Sequence, residues 1–142
     1  MTGPRDTQTH DFRSNCSIAR MLEIVGDKWT LLIARDLMWH GKHTFHELQE
    51  SAERIPTNIL ADRLRRLEGW GLVRYEPYQE RPVRHAYHLT QQGRSLEPVL
   101  MQMMQWGRAH LGGGAFDPAT GRHRTATSPA RRDRPRDGAA SI

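Results

Sequence analysis

The chain has 142 residues, a formal net charge of +5 and a single cysteine. That length supports one domain with a modest core. A lone cysteine excludes an internal disulfide, no apolar run reaches membrane-spanning length, and the N-terminus lacks the layout of a signal peptide, so a cytoplasmic protein with no membrane partner is expected.

Residues 1–14 are polar, contain Gly3 and Pro4, and read as a flexible arm. Ser14 or Asn15 can cap a first helix at about residues 16–25, in which Ile18, Leu22 and Val25 share a face. Gly26-Asp27 breaks it. A second helix over about residues 28–39 is apolar almost all round and should be the buried central helix. Gly41 ends it. Residues 42–44 read as a short strand able to join a later hairpin, and residues 45–52 as a short helix with Phe45 and Leu48 inward.

The next helix, residues 57–69, carries Leu60, Leu64 and Leu67 on one face. Asn58, Ala61, Asp62, Arg65 and Arg66 lie on the other. Pro56 suits the first helical turn, and Gly69 and Gly71 bracket the end around Trp70. After Leu72 the period becomes two. Val73 and Tyr75 alternate with Arg74 and Glu76, then Val83, His85, Tyr87 and Leu89 alternate with Arg84, Ala86 and His88. The loop at residues 77–82 can project Arg81. Helix plus hairpin gives a mostly α fold with a small antiparallel hairpin, a winged helix-turn-helix. The helix suits a DNA major groove and the hairpin the neighbouring backbone or minor groove.

Thr90 can cap a long helix through Leu111, which Pro98 should kink or split. Leu96, Val99 or Leu100, Met103 and Trp106 form an apolar stripe. With Ile18 and Leu22 it is a candidate dimer interface joining N- and C-terminal helices; the alternative is that the stripe closes the protomer's own core. Beyond Gly112-Gly113-Gly114 the chain is basic and poor in large apolar residues, so residues 112–142 read as a disordered tail after a domain at 15–111. The tail's arginines either add non-specific DNA attraction or only solubilise.

Charge is uneven: residues 15–53 sum to −2, residues 54–84 to +3 and residues 112–142 to +3. Positive charge therefore gathers on the helix-hairpin unit and the tail, as in nucleic-acid binders. Thr57, Asn58 and Ala61, near the helix start, are candidates for base edges; Arg65 and Arg66 can reach guanine or phosphate, and Asp62 can accept from cytosine or orient an arginine. Arg81 and Arg84 are the candidate backbone or minor-groove contacts of the hairpin, unless Glu76 and Glu80 neutralise them. Arg63 lies nearer the core and can pair with an internal acid. Cys16, at a helix N-terminus with Arg13 and Arg20 near in sequence, is either a thiolate-forming redox sensor or an unreactive small residue. His40, His43 and His46 straddle a helix break without an i, i+4 pair, so surface or turn positions fit better than a metal site. Trp39, Trp70 and Trp106 fit core packing better than a ligand cavity. Neither a cofactor site nor a nucleophile–base pair or phosphate-binding glycine loop is expected, and an enzyme is not.

The blocks Gly26-Asp27-Lys28-Trp29-Thr30-Leu31-Leu32-Ile33, Phe45-His46-Glu47-Leu48, Arg63-Leu64-Arg65-Arg66-Leu67-Glu68, Gly71-Leu72-Val73 and Tyr87-His88-Leu89-Thr90-Gln91-Gln92-Gly93-Arg94-Ser95-Leu96 resemble the HxlR-type, MarR-like bacterial transcriptional regulators. They cover about residues 16–111. The resemblance implies a dimeric winged helix that binds palindrome-like operators, as repressor or activator, and matches Cys16 to a cysteine that some members use to sense oxidants or electrophiles. The chain departs from the family at Ser17, where proline is common, and at Thr44, where a basic residue is common. Two rival functions use the same features: a non-specific architectural DNA binder, and a winged-helix module for protein association.

Overall fold

The structure is a computed structural model and describes residues 10–127. Its elements are α1 (Ser17–Val25), α2 (Thr30–Trp39), α3 (Phe45–Gln49), α4 (Thr57–Gly69), β1 (Val73–Glu80), β2 (Val83–Leu89), α5 (Gln91–Arg94), α6 (Glu97–Leu111), β3 (Ala115–Asp117) and β4 (Arg122–Arg124). Among the described residues, those up to Glu97 pack as one unit and those from Pro98 as another.

The core of the first unit is assembled from the apolar faces seen in the pattern. Ile33 and Leu37 of α2, Leu48 of α3, Leu60, Leu64 and Leu67 of α4, and Val73 and Leu89 of the hairpin are buried together with Ile55, Trp70 and Leu72. Each such side chain contributes roughly 1.5–3 kcal/mol through removal from water. Helix α2 is less uniformly apolar in its surroundings than its sequence suggests, for it also buries Thr30 and Asp36.

Local chemistry fixes the element ends. Pro56 is the N-cap of α4, one residue before the first turn. At the other end Gly71 takes φ +75°, Leu72 N donates to Leu67 O at 2.9 Å and Gly71 N to Glu68 O at 3.0 Å. That pair of bonds closes the helix with a left-handed residue, which glycine adopts without a Cβ penalty. Thr44 caps α3 in a capping box with Glu47; its backbone and side-chain bonds hold the Glu47 carboxyl below its usual pKa. Thr90 caps α5, accepting from Gly93 N and donating to Gly71 O at 2.6 Å. A Cβ on Gly93 would lie 2.1 Å from Leu72 O, so this turn admits no side chain. The long C-terminal helix is split: α5 ends at Arg94 and α6 starts at Glu97, which puts Pro98 in the first turn, where its missing N–H is tolerated.

Four expectations are corrected. Residues 42–44 form no strand; His43 instead makes a two-way contact with β2, Tyr87 N donating to His43 O at 2.7 Å and His43 Nδ1 lying 3.0 Å from Tyr87 O. The end of the N-terminal arm is not loose: His10 and Phe12 pack on Trp70, with ring centroids 4.8 and 6.0 Å away. The start of the tail is a hairpin, β3 paired antiparallel with β4, and Phe116 N donates to Met104 Sδ at 3.1 Å; the Asp117 carboxylate closes the turn, accepting from Ala119 N and Thr120 Oγ1 at 2.9 Å each, where composition suggested disorder. The loop expected at 77–82 is shorter, because β1 runs on to Glu80 and β2 begins at Val83. Residues 1–9 and 128–142, the rest of the predicted arm and tail, lie outside the described residues.

Candidate nucleic-acid interface

Helices α3 and α4 and the turn between them form the helix-turn-helix, and a buried polar network sets its geometry. Asp36 on α2 and Ser51 in the turn are buried, with Ser51 Oγ donating to Asp36 Oδ2 at 2.7 Å. Arg35 bridges this pair to the turn: Nη2 donates to Asp36 Oδ1 at 2.9 Å, and two guanidinium nitrogens grip Glu53 at 2.6 and 3.1 Å. The bond from Arg35 pulls the Glu53 carboxyl down to about 2 against the opposing effect of burial. A charge-assisted fork of this kind is directional, so it fixes where the turn ends and α4 begins. Gln49 Nε2 donates to Thr57 Oγ1 at 3.1 Å and ties the end of α3 to the first residue of α4.

Helix α4 presents its outer face to solvent. Thr57, Asn58, Arg65 and Arg66 are exposed, and Ala61 and Asp62 half-buried. Asp62 pairs with Arg63 and reaches Arg66 at 4.0 Å. The predicted internal acid for Arg63 is Asp27, 2.9 Å from Nε. Arg65 has no side-chain partner among the described residues. Arg54, which carries no pattern signal in the sequence, is exposed in the turn with φ +54°; its place three residues before α4 depends on the turn geometry.

The wing is β1 and β2, paired from Val73–Leu89 to Glu80–Val83. Arg81 lies in the connecting turn and Arg84 opposite Gln79. Both are exposed, and neither side chain has an ion-pair partner among the described residues. Glu76 pairs with Arg74 instead, so the alternative in which Glu76 and Glu80 neutralise Arg81 and Arg84 is not what the wing adopts.

Cys16 is exposed and is the N-cap of α1, without a side-chain cap bond; Arg20 turns back beside it, donating to Ser14 O at 2.7 Å and Asn15 Oδ1 at 3.1 Å. Ile18 and Leu22 of α1 are exposed at 72% and 54%, and Met103 and Trp106 of α6 at 52% and 60%. Val99 is half-buried, Leu96 packs on the core of its unit, and Leu100 is buried, so Leu100 serves the protomer rather than an open surface. His46 pairs with Glu50, while His43 stacks on His88 with centroids 4.7 Å apart. Burial and the neighbouring His43 lower the His88 pKa. Trp70 is core, Trp39 Nε1 donates to Glu97 at 3.2 Å, and Trp106 stacks with His110.

The model of the HxlR-like helix-turn-helix family matches residues 24–114. The HTH-type transcriptional regulator Rv3095 of Mycobacterium tuberculosis is 39% identical over 117 residues, 82% of this chain and 72% of that protein. Among solved structures, the reduced form of the transcriptional regulator YodB of Bacillus subtilis is 31% identical, with a TM-score of 0.58 over 68% of this chain and 95% of that one. The redox regulator HypR in its oxidised form is 35% identical, with a TM-score of 0.59 over 67% and 97%. These relatives are regulators rather than enzymes. An exposed recognition-type helix, an arginine-bearing wing and the family match agree: the chain is a transcriptional regulator of the HxlR-like helix-turn-helix family.

Proposed function

We propose that the protein is a homodimer that binds a palindromic operator sequence-specifically and represses the genes beside it. The observation that carries this reading is the exposed outer face of α4, where Arg65 has no side-chain partner among the described residues, next to a wing whose Arg81 and Arg84 have no ion-pair partner among them. Thr57, Asn58 and Ala61 read base edges, Arg65 and Arg66 reach guanine or phosphate, Asp62 orients Arg66, and Arg81 and Arg84 fix register on the backbone. Exposed Ile18 and Leu22 on α1 are one apolar patch for a second copy to cover, and half-buried Val99 with exposed Met103 and Trp106 on α6 are another. A bound dimer excludes other proteins from its operator, which makes repression the direct outcome.

Cys16 is the proposed effector site. It is exposed at a helix start, next in sequence to Asn15, which the Arg20 guanidinium engages, and the relative HypR is a redox regulator. Oxidation to a disulfide, across the dimer or with a small thiol, shifts one recognition helix relative to the other. Footprinting on the DNA upstream of its own gene tests the reading. Two protected half-sites with centres roughly 34–36 Å apart support it; a protein that protects no site, or coats the duplex uniformly, is one of the two rivals named above.

A further inference from the structure

The wing contains one residue more on β1 than on β2. Pro77 pairs with His85 and Gln79 with Arg84, so Tyr78 stands between them with no cross-strand partner. A bulge of this kind bends the strand, adds twist and re-aims the extra side chain. It also reverses the parity of β1: Tyr75 and Pro77 share a face with Tyr87 and His85, but beyond the bulge Gln79 shares a face with Arg84. Tyr75 is stacked within the wing, 4.5 Å from His85 and 4.6 Å from Tyr87. Tyr78 is different. It is 54% exposed, with no ring contact and no hydrogen bond to its hydroxyl among the described residues. Its neighbours across and along the ribbon are Arg84 and Arg81, both exposed.

We propose that Tyr78 is a further DNA-contacting residue, its ring laid against deoxyribose and its hydroxyl donating to a phosphate oxygen between the contacts of Arg81 and Arg84. Tyrosine is one of the side chains that donate to phosphate, and it does so without charge. It therefore displaces no condensed counterion, whereas each arginine on a phosphate adds about 0.9 to the slope of log affinity against log salt. The bulge is what frees this side chain from the ladder. The inference rests on the DNA-binding reading above.

The test uses the full chain and a labelled random-sequence duplex at low salt, because a backbone contact needs no operator. Tyr78→Phe and Tyr78→Ala are compared with wild type by fluorescence anisotropy over a salt series, with melting curves for each. Tyr78→Phe should weaken binding roughly threefold to tenfold, and Tyr78→Ala more, with the salt slope and the melting temperature unchanged. Wild-type affinity in both variants overturns the inference and leaves the DNA-binding reading intact. Loss of affinity that accompanies a lowered melting temperature also overturns it, since Tyr78 would then act through the fold. A wild-type chain that binds no duplex overturns the reading itself.

Discussion

The Asp27 carboxylate accepts from Arg63 Nε at 2.9 Å and from the backbone N–H groups of Trp29 and Thr30 at 3.1 Å each. One side chain at the break after α1 therefore caps the start of α2 and holds the middle of α4. Burial acts to raise the Asp27 pKa, but the bonds from Thr30, Arg63 and Trp29 outweigh it and keep the carboxyl below its usual value. Arg63 sits on the flank of α4 between the buried leucines and the outer face, so this bond sets the rotation at which Asn58 and Arg65 face outward. Arg63→Met should lower unfolding stability by about 1–2 kcal/mol, and a double-mutant cycle with Asp27→Asn should return a coupling of about 1 kcal/mol, read from denaturant titrations. A coupling indistinguishable from zero would make the pair incidental to the orientation of α4.

Acid should loosen the turn before α4. Glu53 has a pKa of about 2 in the folded chain against an ordinary 4.5. A carboxyl depressed by folding contributes stability that is fully present above the unfolded value and is lost as pH falls through the folded one. The loss attributable to Glu53 thus falls between about 4.5 and about 2. Folding also lowers the Asp27 pKa, so the expected signature is a difference: unfolding titrations of Glu53→Gln should show a shallower acid decline than wild type. Parallel declines would mean that the Arg35 fork does not hold the turn.

Arg65 and Arg81 should fail differently. If Arg81 meets the DNA backbone as proposed, Arg81→Ala should lower affinity by a similar factor on all duplexes, with a salt slope smaller by about 1. Arg65→Ala should relax preference at a defined operator position, at about 1–3 kcal/mol. Binding assays on an operator and its single-position variants separate the two; uniform loss from both changes contradicts the division of labour.

Oxidant should act through one thiol. Diamide treatment is expected to reduce operator affinity of the wild type and leave Cys16→Ser unaffected, since Cys16 is the only cysteine. Equal responses of the two proteins would dispose of a thiol switch.

Much of this arrangement is legible in the residues themselves. The leucine spacing of α4 is enough to place Leu60, Leu64 and Leu67 in the core, and the change of period at Leu72 marks the wing. Gly71 and Thr90 announce the turns they make, because each has a local job that few other residues do. What stays hidden is non-local. Asp36 and Ser51 look like surface polar residues until they are seen to satisfy one another under Arg35. Phe12 gives no periodic signal, yet it packs on Trp70 far along the chain. A stripe that includes Leu100 reads as one face, although burial divides it between protomer and surface. The bulge at Tyr78 is silent because the stretch between Pro77 and Pro82 reads as a loop, whereas β1 runs through it to Glu80.

The central claim is that the outer face of α4 and the wing together distinguish one DNA sequence from others. Anisotropy titrations of the wild-type chain at one fixed salt concentration, against the footprinted upstream site and a scrambled duplex of equal length, test it most directly. Dissociation constants separated by roughly 10³ or more are expected of a specific regulator. Equal affinity for the two duplexes, or none for either, would contradict the account.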